Sequence, residues 1–463
     1  MASIDTAPAP DRALRRRTFG WLMFDWATQP YYTLVLTFVF GPYFAATAAE
    51  AFLARGLAPE AAGARAQSLW TLGQTLTGAG IALTAPFLGA LADTAGRRIP
   101  WIAGFSLAYL LGTAGLWTLA PDGAALWLAL GAFALATIGA EFTTIFTNAI
   151  LPSLGGPGRV GRISGTGYAV GYAGGLSALV LVLAFLAETG AGTTLLGRPP
   201  AFGLDPEARE GTRAVGPFAA IWFAVFMIPF FAFVHDDPAA RARASAAAAW
   251  ADLKASLAAA LRRRSLGAFL LSSMLYRDAL VALYGVGGVY AALVLGWEVT
   301  QIGAFGVLSV VVAGIATFLG GRLDGAIGPR PVILGCIWTL SLATLAILGL
   351  TREAVWGVPL APGSPVPDAA LYAFGAVVGG AGGVLQASSR SMMVRHADPD
   401  RPTEAFGLYA LSGKATAFLA PALISIATWI TQSPRLGIAP VIGLFLAGLV
   451  LLRWVRPEGD APT

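Results

Sequence analysis

Runs of about 20 mainly apolar residues follow one another along almost all of this 463-residue chain, and no water-soluble core could take them all. A run of that length, coiled as a helix, crosses the roughly 30 Å of hydrocarbon in a bilayer. Inside lipid the backbone must satisfy its own polar groups, which leaves helices or closed barrels, and runs this long read as helices. Twelve runs can be counted, near 19–45, 69–92, 100–119, 125–150, 163–188, 215–234, 266–294, 299–323, 331–351, 367–394, 404–430 and 435–454. Only 12% of residues are charged, where soluble domains carry about 25%. The first run is too long for a signal peptide and lacks a cleavage site, so it should stay as a span. The expected class is therefore an all-α integral membrane protein with twelve transmembrane helices. Cys336 is the only cysteine, which excludes an internal disulfide.

The arginines set the orientation. With both termini cytoplasmic, 20 of the 30 Lys and Arg fall on the cytoplasmic side, seven fall outside, and Arg277, Arg390 and Lys414 lie within spans. That asymmetry favours this topology. It also accounts for the net charge of +5 without a nucleic-acid partner. The expected organisation is a tail (1–18), a six-helix bundle (19–234), a cytoplasmic linker (235–265), a second six-helix bundle (266–454) and a short tail (455–463). Loops 46–68 and 189–214 read as long. The Ala-rich stretch 239–260 reads as amphipathic helix on the membrane surface. Heavy use of Ala, Gly and Arg suggests a bacterial inner-membrane protein.

Between the second and third runs stands Gly89-Ala90-Leu91-Ala92-Asp93-Thr94-Ala95-Gly96-Arg97-Arg98. This G-x-L-A-D-x-x-G-R-R pattern resembles the signature loop of the major facilitator superfamily. The resemblance implies two pseudo-symmetric six-helix bundles (the major facilitator fold) and a gating role for Gly89, Asp93, Gly96, Arg97 and Arg98. A weaker copy, Gly321-Arg322-Leu323-Asp324, occupies the corresponding place in the second half. Gly165-(x5)-Gly171 aligns with Gly407-(x5)-Gly413, an internal repeat typical of transporters. Four segments resemble the vacuole-effluxer (autophagy-related protein 22-like) branch. They are Gly20-Trp21-Leu22-Met23-Phe24-Asp25-Trp26-Ala27, the Ser164–Gly175 stretch with Tyr168 and Tyr172, Gln386-Ala387-Ser388-Ser389-Arg390-Ser391, and the run from Phe406 through Lys414 to Pro421. Thr28-Gln29-Pro30 and Thr147 depart from that branch's usual residues. Fungal members of the branch are implied to release amino acids from the vacuole.

Ionisable groups inside spans cost at least about 2.5 kcal/mol each and usually face a cavity. Asp25 and Gln29 share a face of the first run. Asp25 reads as a substrate or proton ligand, or as a brace near the cytoplasmic edge, and Pro30 should bend the helix after it. Arg277 and Asp278 are adjacent, so one should face the cavity and the other a neighbouring helix. Asp278 reads as a coupling-proton carrier or as the static partner of Arg390 or Lys414. Glu141, seven residues before Asn148, reads as a third candidate proton carrier or as the ligand of a backbone or serine partner. Arg390, one turn after Gln386, and Lys414 read as the anion-binding side of a central cavity opposite Asp25 and Asp278, a pattern suited to a zwitterion. The alternative is mutual neutralisation. Tyr168, Tyr172 and Tyr276 complete the candidate lining.

No phosphate-binding loop, metal spacing or nucleophile triad occurs, so neither an enzyme nor a cofactor is expected. The expectation is a monomeric secondary transporter of a small polar or zwitterionic solute, such as an amino acid, exporting it by alternating access with proton coupling. The alternative is an exporter or flippase of an amphiphile, drug-like or lipid, which a wide apolar cavity would favour.

Overall fold

The computed structural model describes residues 12–236, 262–297 and 299–459. Among them, twelve helices are long and apolar enough to cross a bilayer. Spans 1–6 are Arg12–Ala54, Ala61–Ala95, Ile99–Thr118, Leu126–Asn148, Gly158–Phe185 and Glu210–Phe233. Spans 7–12 are Arg264–Gly288, Gln301–Ile327, Pro329–Leu348, Val366–His396, Pro402–Thr431 and Arg435–Trp454. The surface-helix expectation for 239–260 lies outside the described residues. The ends of the spans define two faces. One carries the 96–98 loop and is called the signature-loop face below; the other carries the 349–365 connection.

Two sequence expectations need correction. The chain is already helical at Arg12, inside the expected tail, and most of the expected loop 46–68 is helix. The chain runs helically to Ala54 and again from Pro59, leaving a short turn at 55–58. Ala-rich sequence favours helix, and Thr47, Ala48, Ala51 and Phe52 find buried positions that hold the extension in place. Span 1 is also irregular. After Pro30, residues Tyr31–Phe38 form a π-helical segment, and Thr37 donates its hydroxyl to the Tyr32 carbonyl five residues back. A proline has no N–H to give the preceding turn, so the ladder shifts register there.

Large apolar side chains such as Leu83, Trp127, Val281 and Trp429 point outward, as lipid-facing positions should. Glycines let spans approach where bundles meet. A Cβ at Gly165 would lie 2.5 Å from Gly321 Cα, between spans 5 and 8, and one at Gly407 would lie 2.7 Å from the Ala85 carbonyl, between spans 11 and 2. On the face opposite the signature loop, Glu188 fastens the 189–214 connection. It accepts from the Thr212 N–H and hydroxyl and pairs with Arg209 at 3.1 Å.

Span 11 is broken. Its first part ends at Ala415 and helix resumes at Leu419. Pro421 cannot donate to the Ala417 carbonyl, so the ladder is interrupted there. Asp278 of span 7 mends the gap by accepting from the Ala420 N–H at 2.9 Å. A carboxylate at the start of a half-helix satisfies an otherwise orphaned donor.

Candidate functional site

The signature loop is built as a clasp between the halves. Gly96 adopts φ 67°, the left-handed conformation that ends span 2, and donates to the Asp93 carbonyl at 3.0 Å. Asp93 is thereby turned toward the start of span 11, where its carboxylate accepts from the Thr403 hydroxyl at 2.6 Å and the Glu404 N–H at 2.8 Å. Arg98 pairs with Asp93 at 2.8 Å and donates its Nε to Thr403 at 2.7 Å. Gly89 permits the approach, since a Cβ there would meet the Thr403 carbonyl at 2.7 Å. Arg97 is exposed. Asp236, which sequence reasoning did not single out, accepts from the Arg98 and Ile99 N–H groups at the start of span 3.

A second clasp lies one layer deeper. Arg390 of span 10 reaches Asp25 of span 1 at 3.1 Å, and it also donates to Asn148 of span 4 and to the hydroxyl and carbonyl of Ser164 in span 5. Its guanidinium lies between the rings of Trp21 and Tyr168, with centroids at 4.8 and 4.4 Å. A Cβ at position 167 would crowd this cation at 2.9 Å, so glycine is what fits. Three spans of the first half thus grip one side chain of the second.

The third cross-link is the pair Lys414–Glu141, at 3.1 Å between spans 11 and 4, with both side chains partly exposed. Arg277 sits at this level. It donates to the Tyr409 carbonyl at 3.1 Å and stacks over the Tyr409 ring at 4.3 Å.

The remaining candidates are scattered. Asp278 does not meet Arg390 or Lys414; it is spent on the break in span 11. The sequence placed it on the correct helix, but helical periodicity gives a face and not the neighbour across it. Tyr276 is fully buried with its hydroxyl 2.7 Å from Ser389, so it touches no open space here. Gln386 stays half-buried one turn from Arg390. Gln29 and Tyr172 line a cavity.

That cavity, of about 520 Å³, lies among spans 1, 5, 7, 8 and 10 toward the face opposite the signature loop. Tyr32, Tyr284, Phe305 and Leu371 share its wall with Gln29 and Tyr172, and among the described residues no charged one lines it. Sequence reasoning missed Tyr32, Tyr284 and Phe305, because a neutral aromatic facing a cavity has the same composition as one facing lipid. It also gave little weight to Asp324, the second half's counterpart of Asp93. Asp324 is fully buried; one carboxylate oxygen accepts from Ser391 at 3.1 Å and the other has no hydrogen-bond partner among the described residues.

Comparison with known proteins agrees with this architecture. A Bacillus subtilis protein described as an uncharacterized MFS-type transporter, YxiO, is 24% identical over 445 residues, covering 95% of this chain and 94% of its own. The human organic anion transporter MFSD10 superposes with a TM-score of 0.68 at 18% identity, covering 96% of this chain and all of its own. The transporter FucP, solved in an outward conformation, gives 0.65 at 16% identity, with 96% and 99% covered. At these identities the two structures establish the fold alone. Residues 158–459 match the family described as vacuole effluxer Atg22 like, well over half the sequence. The chain is therefore an integral membrane transporter of the major facilitator superfamily, and it belongs to the Atg22-like family.

Proposed function

We propose that this transporter moves an amphiphilic solute with a substantial apolar part, through alternating access, from the signature-loop side to the opposite side. The absence of charged residues among those described around the 520 Å³ cavity carries this reading. A free amino acid would lose the hydration of two full charges there without replacement, which costs far more than burying apolar surface returns. The two cations that looked suited to a zwitterion are each engaged with a carboxylate: Arg390 with Asp25 and Lys414 with Glu141. The arginine distribution supports a cytoplasmic signature-loop face. On that assignment the clasps close the cytoplasmic side and the cavity opens outward, the state in which an exporter releases its cargo.

Proton coupling belongs to the same reading. Glu141 is the better-placed carrier, because it is half-buried, lies mid-span and bridges the two halves through Lys414. Protonation would break that bridge when the halves must part. Asp278 is committed to a backbone N–H instead.

Thermal-shift titration of the purified protein in nanodiscs tests the substrate class. Stabilisation by neutral amphiphiles such as 4-phenylbutyramide, with none from leucine or glutamate, supports it. Stabilisation by the amino acids alone overturns it.

A further inference from the structure

Five charged side chains form the layer beneath the apolar cavity: Asp25, Glu141, Arg277, Arg390 and Lys414. Four of them make two ion pairs. Arg277 is left over. Among the described residues no carboxylate lies within ion-pair distance of it, and its only hydrogen-bond acceptor is the Tyr409 carbonyl. A guanidinium carries five N–H donors, so most of its capacity is unused. Its electrostatic neighbours are Tyr409, Tyr168, Tyr276 and Glu141, and of these only Glu141 is a carboxylate, already held by Lys414. The site is also shaped for this cation. A Cβ at Gly413 would come within 2.6 Å of the guanidinium, so the glycine leaves the room it occupies. Cations deep in a span are costly and ordinarily paired, and here the layer carries one positive charge in excess.

The position of Arg277 relative to the cavity gives this excess a use. Tyr284, a cavity-wall residue, lies seven residues further along span 7. Seven residues are nearly two turns, so the two side chains share a face and are about 10 Å apart along the axis. Gln29 and Tyr172 of the cavity likewise stand one turn from Asp25 and Tyr168 of the charged layer. Apolar chamber and lone cation therefore lie end to end along the axis of the molecule.

We propose that Arg277 anchors the head of the transported solute, which is an organic anion: a carboxylate, sulfonate or similar group on an apolar body about 10 Å long. This rests on the amphiphile reading above and narrows it. The anionic head takes the unused donors of Arg277, which match a planar carboxylate in fork geometry. The Tyr168 hydroxyl is a further donor at that level. The apolar body fills the chamber lined by Tyr172, Tyr284 and Phe305. Binding neutralises the excess charge, so the loaded carrier crosses its occluded state without a bare cation in the membrane interior.

The test compares 4-phenylbutyrate with 4-phenylbutyramide, isosteres that differ in charge, by calorimetric titration of the full chain in nanodiscs of zwitterionic lipid. The parent should bind the carboxylate at least about tenfold more tightly, equivalent to about 1.4 kcal/mol. Arg277→Gln should remove that preference and leave the amide affinity within about twofold, which also reports that the cavity is folded. Arg277→Lys should keep part of the preference. Equal binding of the two probes by the parent, or a preference that survives Arg277→Gln, overturns the anchor while leaving the amphiphile cavity standing. Binding of leucine with neither probe overturns both. If Arg277→Gln cannot be purified folded, the parent's preference and its reduction in Arg277→Lys decide the matter, and an undiminished preference in the lysine variant counts against fork recognition.

Discussion

Arg390 and Asp25 lie 365 residues apart in sequence and 3.1 Å apart in space, and their ion pair joins the two halves of the transporter below the cavity. A pair this buried is strained by removing one partner more than by removing both. Arg390→Ala should cost about 3–5 kcal/mol, because Asp25 is left uncompensated. The double variant Asp25→Leu with Arg390→Met should recover much of that loss. Denaturation midpoints of the three proteins check this. Equal loss in the single and double variants would mean that the arginine acts through its Ser164 and Asn148 contacts instead.

Asp93 governs the outer clasp on the same face. Asp93→Ala removes acceptors from Thr403, the Glu404 N–H and Arg98 together, with no core cavity created. Expression should stay near parental while the signature-loop face opens more often. In a Cys336→Ser background, a cysteine at the buried position Ser388 should react with maleimide several-fold faster when Asp93 is absent. An unchanged rate would show that the Arg390 clasp alone holds this face shut.

Close glycine contacts predict a steric route to the same bias. Gly165→Val places methyl groups against Gly321, and Gly89→Val against the Thr403 carbonyl. Both variants should prevent the signature-loop face from closing, so that the same Ser388→Cys reporter labels quickly and binding from the opposite face falls. Slow labelling in both would mean the spans yield by shifting, which backbone-to-backbone contacts resist.

Glu141 and Asp278 should separate cleanly. Glu141→Gln breaks the charge pair with Lys414 and should abolish accumulation of an aryl sulfonate driven by a pH gradient in proteoliposomes, while exchange persists. Asp278→Asn retains an acceptor for the Ala420 N–H, so gradient-driven accumulation should survive. Asp278→Ala should instead cost about 1 kcal/mol of stability, as loss of a helix cap does. Loss of gradient response in Asp278→Asn with retention in Glu141→Gln would reverse the assignment.

These cases also show how far the sequence could be read. All twelve spans were legible, because a run of apolar residues states its own length and lipid adds no competing requirement. The clasp at Asp93 was legible through a local pattern. The partners of Asp278 and Lys414 were not: spacing fixes which side of a helix a charge occupies, while the bundle decides what stands opposite. Ser164 was visible inside a quoted motif, yet nothing local marked it as the arginine's ligand. The cavity was the least legible feature, since Tyr32, Tyr284 and Phe305 are apolar enough for lipid, and only packing tells the two surroundings apart.

The interruption at 416–418 divides the loyalties of span 11. Its lower part is tied to the first half of the protein by Asp93 and Glu141, while its upper part leans on span 7 through Asp278 and packs against span 12. A stiff rod held at both ends by bodies that move apart would have to release one of them outright. A jointed one can keep both grips and flex between them. On this account the two halves never behave as independent blocks, and span 11 is a knee: its bend angle, measurable as the distance between spin labels at positions 408 and 426, should change in step with loading of the cavity.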